Sequence, residues 1–254
     1  MSGFDITSPS NERIKRLVRL RDRNHRDEEE NFLVEGPRLV ERAIAAGLAP
    51  GEVFVDGSVD YHGPGQVLTT HPDALARASY RKRSQGVIAV FPQFPTGLDE
   101  IVVSDPVLVV VTEGIEKPGN LGAMLRTADA VGADALIVAG DTVDPFNPNV
   151  VRASQGALFS VPLAVAGLGD LVAWTDRQGI DLVAASPDSA NSLWDADLSG
   201  SVAILIGSED LGLSSHARAA ASRTVSIPMA GAADSLNASA SLAVIAYEVL
   251  RQRR

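Results

Sequence analysis

Apolar and polar residues follow two different patterns along the chain, and the change falls near residue 100. From residue 105 onward, short apolar runs typical of buried strands alternate with segments of helical period. This alternation predicts a mostly parallel β-sheet with helices on both faces. The strand-like runs are PVLVVVTEG, ALIVAG, FSVPLAV, DLVAAS, VAILIGSE and TVSIPM, and helices are predicted over 120–131, after Asn147-Pro148, up to Gly179, near 214–221 and at the C-terminus.

The first hundred residues predict a smaller α/β domain. A basic helix is followed by the strand-like run NFLVEG, a helix over 37–46 that ends at Gly47, and the runs EVFVDG and GVIAVF. The segment FPQFPTGLDE, residues 91–100, contains two prolines and a glycine without any helical or strand period, which is typical of a linker. The predicted division is a domain over 1–97, a linker over 98–104 and a domain over 105–254.

Composition narrows the function classes. The chain of 254 residues contains no cysteine, which excludes disulfides and thiolate metal sites, and its four histidines are scattered without metal-ligand spacing, so no metal is inferred. The first thirty residues are charged, and no apolar run approaches the ~20 residues that cross a bilayer. We therefore expect neither a signal peptide nor a membrane span, and a cytoplasmic location.

Charge is distributed unevenly. A net charge of −10 argues against indiscriminate nucleic-acid binding, yet residues 13–26 contain seven basic residues and the single acid Asp22. The acidic run DEEE, residues 27–30, follows directly, and a second basic cluster, RKR, occupies residues 81–83. Two interpretations stay open at this point: a solvated helix face balanced by neighbouring acids, or a surface that contacts phosphates.

Three loops after predicted strands carry candidate chemistry, because ligands of open α/β sheets bind beyond the carboxyl ends of the strands. They are EGIEKPGNLGAMLR, with Asn120 and Arg126, GSEDLG, with Glu209, and SIPMAGAADSLNASAS, with Ser235 and Asn237. None contains a dinucleotide-binding fingerprint or a phosphate loop. Each residue also has an ordinary structural interpretation, such as a surface arginine, a helix-leading acid or a helix cap.

Four features of these loops are predicted from backbone chemistry. Pro228 is expected to end the last strand, and Gly231 to turn the chain. One of Asp234, Ser235 or Asn237 is expected to cap the final helix, and Gly207 and Gly212 to permit close backbone approach or positive φ.

The segments NLGAMLRTADAVGADALIV, LIGSEDLGLS and SIPMAGAADSLNASAS resemble the three motifs of the SpoU-type RNA 2′-O-ribose methyltransferases. That superfamily has a deep C-terminal trefoil knot. The first domain, with SNERIKRLVRLRDRNHRDEEENFLVEG, resembles the ribosomal-protein-like RNA-binding domain that many members carry. One departure is Ala238, where the family commonly has valine, and no functional consequence is expected from it.

The resemblance implies a cofactor, S-adenosyl-L-methionine, bound in the knot, where Pro228, Gly231 and small residues serve a tight chain crossing. It implies a homodimer formed through the C-terminal domain. It also implies that Arg126 acts on the 2′-hydroxyl, and since arginine is almost never deprotonated we favour a cation over a base. The residues implied are Asn120, Arg126, Glu209, Ser235 and Asn237 for catalysis; Ala185, Gly207, Ser208, Ile227, Met229 and Leu236 for the cofactor; and Lys15, Arg16, Arg19, Arg81 and Arg83 for RNA.

Several alternatives stay open. The additional first domain favours ribosomal RNA over transfer RNA, and an antibiotic-resistance role is compatible with this substrate. The chain could instead be a catalytically silent RNA-binding protein, which the complete catalytic set argues against. A base methyltransferase of the same superfamily would carry other motifs, and SLNAS favours ribose.

Overall fold

The structure is a computed structural model that describes residues 3–80, 84–140 and 143–254. The chain divides into two compact units. The first consists of Met1–Phe94 and Asp144–Phe159, and the second of Pro95–Val143 and Ser160–Arg254. The sequence pattern places 144–159 in the second domain, whereas in the structure this segment groups with the first unit.

The first unit, within the described ranges, contains a four-stranded sheet of order β1-β4-β2-β3. Strand β4 pairs antiparallel with both β1 and β2, and β2 pairs parallel with β3. The strands are β1 (Asn31–Glu35), β2 (Glu52–Val55), β3 (Gln66–Thr69) and β4 (Val87–Pro92), and the helices are α1 (Glu12–Arg19), α2 (Arg23–Glu29), α3 (Pro37–Ala45), α4 (Pro72–Ala78) and, from the later segment, α6 (Pro148–Ala153). The pattern predicted α1, α3, α6 and three of these strands; β3 and α4 were missed.

The later segment is held in the first unit by apolar and charged contacts. The ring of Phe32 lies 5.1 Å from that of Phe146 and 6.3 Å from that of Phe159, measured between centroids. Arg26 is 1% exposed, and its Nε donates to Asp144 Oδ2 at 2.9 Å. Its Nη1 also donates to the carbonyl of Leu20, so the buried guanidinium is paired and hydrogen-bonded.

The second unit has the predicted parallel sheet. Its strand order within the described residues is β10-β8-β9-β5-β6-β7, and every pairing is parallel. The strands are β5 (Leu108–Glu113), β6 (Ala135–Ala139), β7 (Leu163–Ala166), β8 (Asp181–Ala185), β9 (Val202–Ile206) and β10 (Arg223–Val225), and the helices are α5 (Pro118–Val131), α7 (Leu168–Gln178), α8 (Ser215–Ala220) and α9 (Ala238–Gln252).

Helices cover both faces of this sheet, as predicted. On one face, Leu171 and Trp174 of α7 and Ala217 of α8 join a buried cluster with alternate side chains of the strands. On the other face, α5 packs against β5, β6 and α9, and α9 packs against β9. The apolar strands are thus buried on both sides, which explains their continuous apolar runs.

The ends of the helices follow local chemistry. Gly132 and Gly179 adopt left-handed φ values of 65° and 66° and end α5 and α7 where the pattern predicted. Of the three candidates for the cap of α9, Asn237 is the one that accepts the backbone N–H of Ser239, at 3.0 Å. The prediction that Pro228 ends the last strand is wrong, because β10 ends at Val225 and only an isolated bridge at Ser226 follows it.

The strand order brings the loops after β5, β9, β8 and β10 to one edge of the sheet, because these four strands are parallel neighbours. Strand order does not reveal threading, so the trefoil knot stays a prediction. In the part of the chain that the structure describes, no helix is both long enough and apolar enough to cross a membrane.

Candidate active site

A cluster of polar side chains lies where α5, the loop after β9 and α9 begin or meet. Glu209 accepts hydrogen bonds at both carboxylate oxygens, from Lys117 Nζ at Oε2 and from Asn237 Nδ2 at Oε1. Asn237 Nδ2 also lies 3.3 Å from Asn120 Oδ1. Three of the predicted catalytic residues, Asn120, Glu209 and Asn237, are therefore in one hydrogen-bonded group.

Lys117 belongs to the same group and was missed from the sequence. It is the residue before α5, and it offers no motif signal of its own, because its partner Glu209 is 92 positions away. The hydrogen bond from Lys117, followed by that from Asn120, lowers the pKa of the Glu209 carboxyl. The hydrogen bond to Glu209 in turn raises the pKa of the Lys117 ammonium. Glu209 is accordingly a stable anion and a weak base.

Arg126 lies on α5, six residues beyond Asn120 and so about 9 Å further along the helix axis. The residue is exposed, and among the described residues its guanidinium has no hydrogen-bond or ion-pair partner. Ser235, the fifth predicted catalytic residue, is exposed and lines a neighbouring cavity. In the described residues, neither Arg126 nor Ser235 is hydrogen-bonded to the group of Asn120, Glu209 and Asn237, although Ser235 and Glu209 line the same cavity.

That cavity has a volume of about 290 Å³, close to the lower end of the range of about 300–1,000 Å³ that is typical of small-molecule sites. It lies at the carboxyl ends of β8, β9 and β10. Its walls combine apolar side chains with hydroxyl and carboxylate groups. All six predicted cofactor residues line it: Ala185, Gly207, Ser208, Ile227, Met229 and Leu236.

The floor of the cavity is shaped by a close backbone approach at Gly207. A Cβ atom at this position would lie 2.3 Å from the backbone carbon of Gly212, so only glycine fits. Gly212 itself has a φ of +65°. Both predicted glycine roles are therefore present, one at each position.

Gly231 lies at a bend, as predicted. Its φ is not in the left-handed region, and a Cβ atom there would meet nothing within 4 Å. The tight crossing at Pro228 and Gly231 depends on the trefoil knot and stays a prediction. Both residues are exposed.

A second cavity, of about 120 Å³, adjoins the polar cluster. It is lined by 114–117 and Asn120 on one side and by 208–211 on the other. Residues 208–211 also line the larger cavity, so this short segment forms a wall common to both.

The predicted RNA-binding residues of the first unit have different surroundings. Lys15 pairs with Glu12, at 2.7 Å, and Arg16 is held by both Glu29 and Glu52. Arg19 is exposed and has no hydrogen-bond or ion-pair partner among the described residues. Arg81 and Arg83 lie outside the described residues.

A metal site was not predicted. Within 3–80, 84–140 and 143–254, the structure shows no group of three or more histidine, aspartate or glutamate side chains that could hold a metal ion.

Comparison with known protein families finds two matches along the chain. Residues 107–247 match the SpoU rRNA Methylase family, and residues 11–89 match the MRM3-like substrate binding domain. The 23S rRNA (uridine(2479)-2′-O)-methyltransferase of Streptomyces viridochromogenes is 34% identical over an alignment of 250 residues, and the match covers 92% of this chain and 87% of the relative.

Solved structures agree over nearly the whole chain. The SpoU methyltransferase AviRb from Streptomyces viridochromogenes, in complex with the cofactor AdoMet, superposes with a TM-score of 0.90 at 33% identity and covers 96% of this chain and 98% of its own. The AdoMet-bound rRNA methyltransferase from Sinorhizobium meliloti gives a TM-score of 0.89 at 30% identity, with 97% of each chain covered.

Proposed function

Because the chain belongs to the SpoU rRNA methylase family, we propose that it transfers a methyl group from S-adenosyl-L-methionine to the 2′-hydroxyl of a ribose in ribosomal RNA. The observation that carries this proposal is the bonded group of Asn120, Glu209 and Asn237 directly beside a cavity lined by all six predicted cofactor residues. The match of the first unit to a substrate-binding domain supports an RNA substrate.

The larger cavity fits the cofactor chemically. Ile227, Met229 and Leu236 offer apolar surface for an adenine ring, and Ser208 and Ser235 offer hydroxyls for polar groups. The close approach of Gly207 to Gly212 leaves backbone groups in the floor of the cavity. When bound, the cofactor supplies an electrophilic sulfonium methyl group.

The protein must then align the hydroxyl and stabilise the charge that develops on its oxygen. Arg126 has a guanidinium free of partners in the described residues, and arginine stays protonated, so its proposed role is to hold the target phosphate and stabilise the alkoxide. Glu209 is a poor proton acceptor because both of its oxygens are engaged and its pKa is lowered. We assign it, with Asn120 and Asn237, to orienting the site, and the proton to water or an RNA phosphate.

RNA contacts are proposed for the first unit, at Arg19, Arg81 and Arg83, whereas Lys15 and Arg16 are already paired with acids. Their surroundings single out Arg19 as the residue of α1 that is free to meet a phosphate. A cytoplasmic location is part of the same proposal, as is the domain division at 98–104.

A homodimer through the second unit is also proposed. Helix α9 buries Leu242, Ile245, Ala246 and Val249 within its own chain. A second apolar stripe, which includes Val244 and the half-exposed Tyr247, stays partly open to solvent. Such a stripe suits a partner subunit. Light scattering at micromolar concentration should give the mass of a dimer, and a monomer would contradict the proposal.

Transfer of a labelled methyl group tests the function. Purified protein, labelled cofactor and either ribosomal or transfer RNA are incubated, and nuclease digestion then identifies the labelled nucleoside. A 2′-O-methylated nucleoside from ribosomal RNA is expected. Label in transfer RNA would favour a tRNA enzyme, and label in a base would favour a base methyltransferase. The absence of label from both RNAs would favour a silent binding protein. Mapping riboses in cells with and without the gene would locate the nucleotide and test a resistance role.

A further inference from the structure

Lys117 places an ammonium group at one end of the polar cluster, against Glu209. Its side chain is 64% exposed, yet it is tied to Glu209, whose side chain is 21% exposed. The neighbouring acids Asp210 and Glu116 act on the same ammonium and raise its pKa further. The pair thus lies in an acidic stretch in which Lys117 supplies the positive charge that Glu209 contacts.

Glu209 passes this constraint on to Asn237. The carboxylate bonds Lys117 through one oxygen and the amide of Asn237 through the other. Asn237 Oδ1 accepts the backbone N–H of Ser239 at 3.0 Å and its hydroxyl at 2.6 Å. The amide is therefore fixed at both ends, with its nitrogen towards Glu209 and its oxygen on the first turn of α9.

We propose that Lys117 is a positioning residue for methyl transfer, which holds Glu209 and, through it, Asn237 at the wall shared by the two cavities. This inference rests on the proposed function. Lys117 and Asn120 border the smaller cavity, whereas Ser235, Leu236 and Ala238 border the larger one. The hydrogen-bonded series of Lys117, Glu209 and Asn237 crosses the wall between the two cavities. Loss of Lys117 should therefore loosen the lining of both cavities.

The proposal requires Lys117 to act through Glu209 and not on RNA directly. A double-mutant cycle separates these roles, because contacting residues show coupling that independent residues lack. Single-turnover methyl transfer is measured for Lys117→Met, Glu209→Gln and the double variant, with cofactor and RNA binding measured separately. Arg177→Met, at an exposed position at the end of α7, is the matched control for removal of one positive charge.

We expect Lys117→Met to slow transfer about tenfold in the wild-type background and to add little in the Glu209→Gln background. Lys117→Arg should restore most of the rate, since a guanidinium can also pair with a carboxylate. An equal loss in both backgrounds, together with weaker RNA binding, would overturn the proposal and make Lys117 a phosphate contact. Wild-type rates in Lys117→Met would also overturn it.

The pH profile is a second readout that a purely structural role would not move. Lys117 lowers the pKa of Glu209, so its removal should raise that pKa towards the ordinary value of a glutamate, 4.5. The acid limb of the Lys117→Met profile should therefore shift upward within the pH range below 4.5, and an unshifted limb contradicts the proposal. If wild-type protein transfers no methyl group to ribosomal RNA, the proposed function fails instead, which is a different result.

Discussion

Two ion pairs, one in each unit, join residues that are far apart in the chain, and they differ in burial. Arg26 and Asp144 have side chains that are 1% and 7% exposed, and Arg26 also donates to two backbone carbonyls. Lys117 and Glu209 have side chains that are 64% and 21% exposed, and they border a cavity. The first pair is sealed among its partners, whereas the second is accessible to a ligand.

The difference separates polar residues that hold the fold from those available for chemistry. A buried charge must be paired and hydrogen-bonded within the protein, so neither it nor its partners can bind a ligand. An exposed pair contributes little to stability but can meet a substrate. Burial, more than residue type, therefore indicates which charged residues of this chain are candidates for function.

The largest effect is expected from breaking the buried pair. Arg26→Met leaves Asp144 buried without its cation and should lower the free energy of unfolding by about 3–5 kcal/mol. Urea denaturation followed by circular dichroism measures it. Arg23→Met is the control, since Arg23 pairs with Asp27 on the surface and should cost less than about 1 kcal/mol. Equal losses of stability in both variants would show that burial does not distinguish the two kinds of ion pair.

The next largest effect concerns Arg126, which is exposed and should matter for methyl transfer and not for folding. Arg126→Ala should raise the barrier by about 3–4 kcal/mol, a loss of about 10²–10³-fold in rate, as when an oxyanion-hole donor is removed. The free energy of unfolding and cofactor affinity should be unchanged. Arg126→Lys should rescue little, because a point charge lacks the planar fork. Near-normal single-turnover rates in Arg126→Ala would refute the role assigned to it.

Glu248 tests whether burial or location in the chain decides if a charged residue serves stability or function. It lies in the second unit, as the candidate site does, yet it is buried. Its carboxylate accepts hydrogen bonds from Arg251 Nε, at 2.8 Å, and from Gln252, at 2.7 Å. The hydrogen bond from Arg251 is the main reason that the pKa of Glu248 is lowered to about 2. Glu248→Gln should cost stability, by about 1.5–3 kcal/mol, and leave cofactor binding intact.

The pH dependence of this loss has a defined sign. The pKa of Glu248 is lower in the folded state than in the unfolded state, so its stabilisation is complete above the unfolded value of 4.5 and is lost as pH falls towards about 2. Wild-type protein and Glu248→Gln should therefore converge in stability across that window. A difference that stays constant with pH would contradict the assigned cause.

The smallest effects should appear in α1, where one helix contains both kinds of arginine. Arg19→Ala should reduce the slope of log affinity against log salt by about one, as for one lost phosphate contact. Arg16→Ala should leave that slope nearly unchanged and instead lower stability slightly, since Arg16 is already paired with Glu29 and Glu52. Filter binding of RNA at several salt concentrations distinguishes them. If Arg19→Ala has the same salt slope as the wild-type protein, α1 is a solvated helix face and does not contact phosphate.

Much of the second unit could be predicted because its signals are local. The apolar runs of β5, β6 and β9 are buried on both faces, and Gly132 and Gly179 end helices through their own backbone conformations. In the first unit, β3 and α4 were missed. Strand β3 has four residues, and its Val67 is 41% exposed, so no apolar run marks it. Helix α4 has only seven residues, too few for a clear period.

The order of residues was enough to predict the sheet class, the ends of α5 and α7, and the loops that carry Asn120, Glu209 and Asn237, since these depend on neighbours within a few residues. Three other features became visible in the folded protein: Lys117 pairs with Glu209, Glu29 and Glu52 neutralise Arg16, and residues 144–159 join the first unit. Each of the last three depends on partners distant in the chain. A charged residue can be identified in a sequence, but whether it forms an ion pair depends on which residues folding brings within a few ångströms of it.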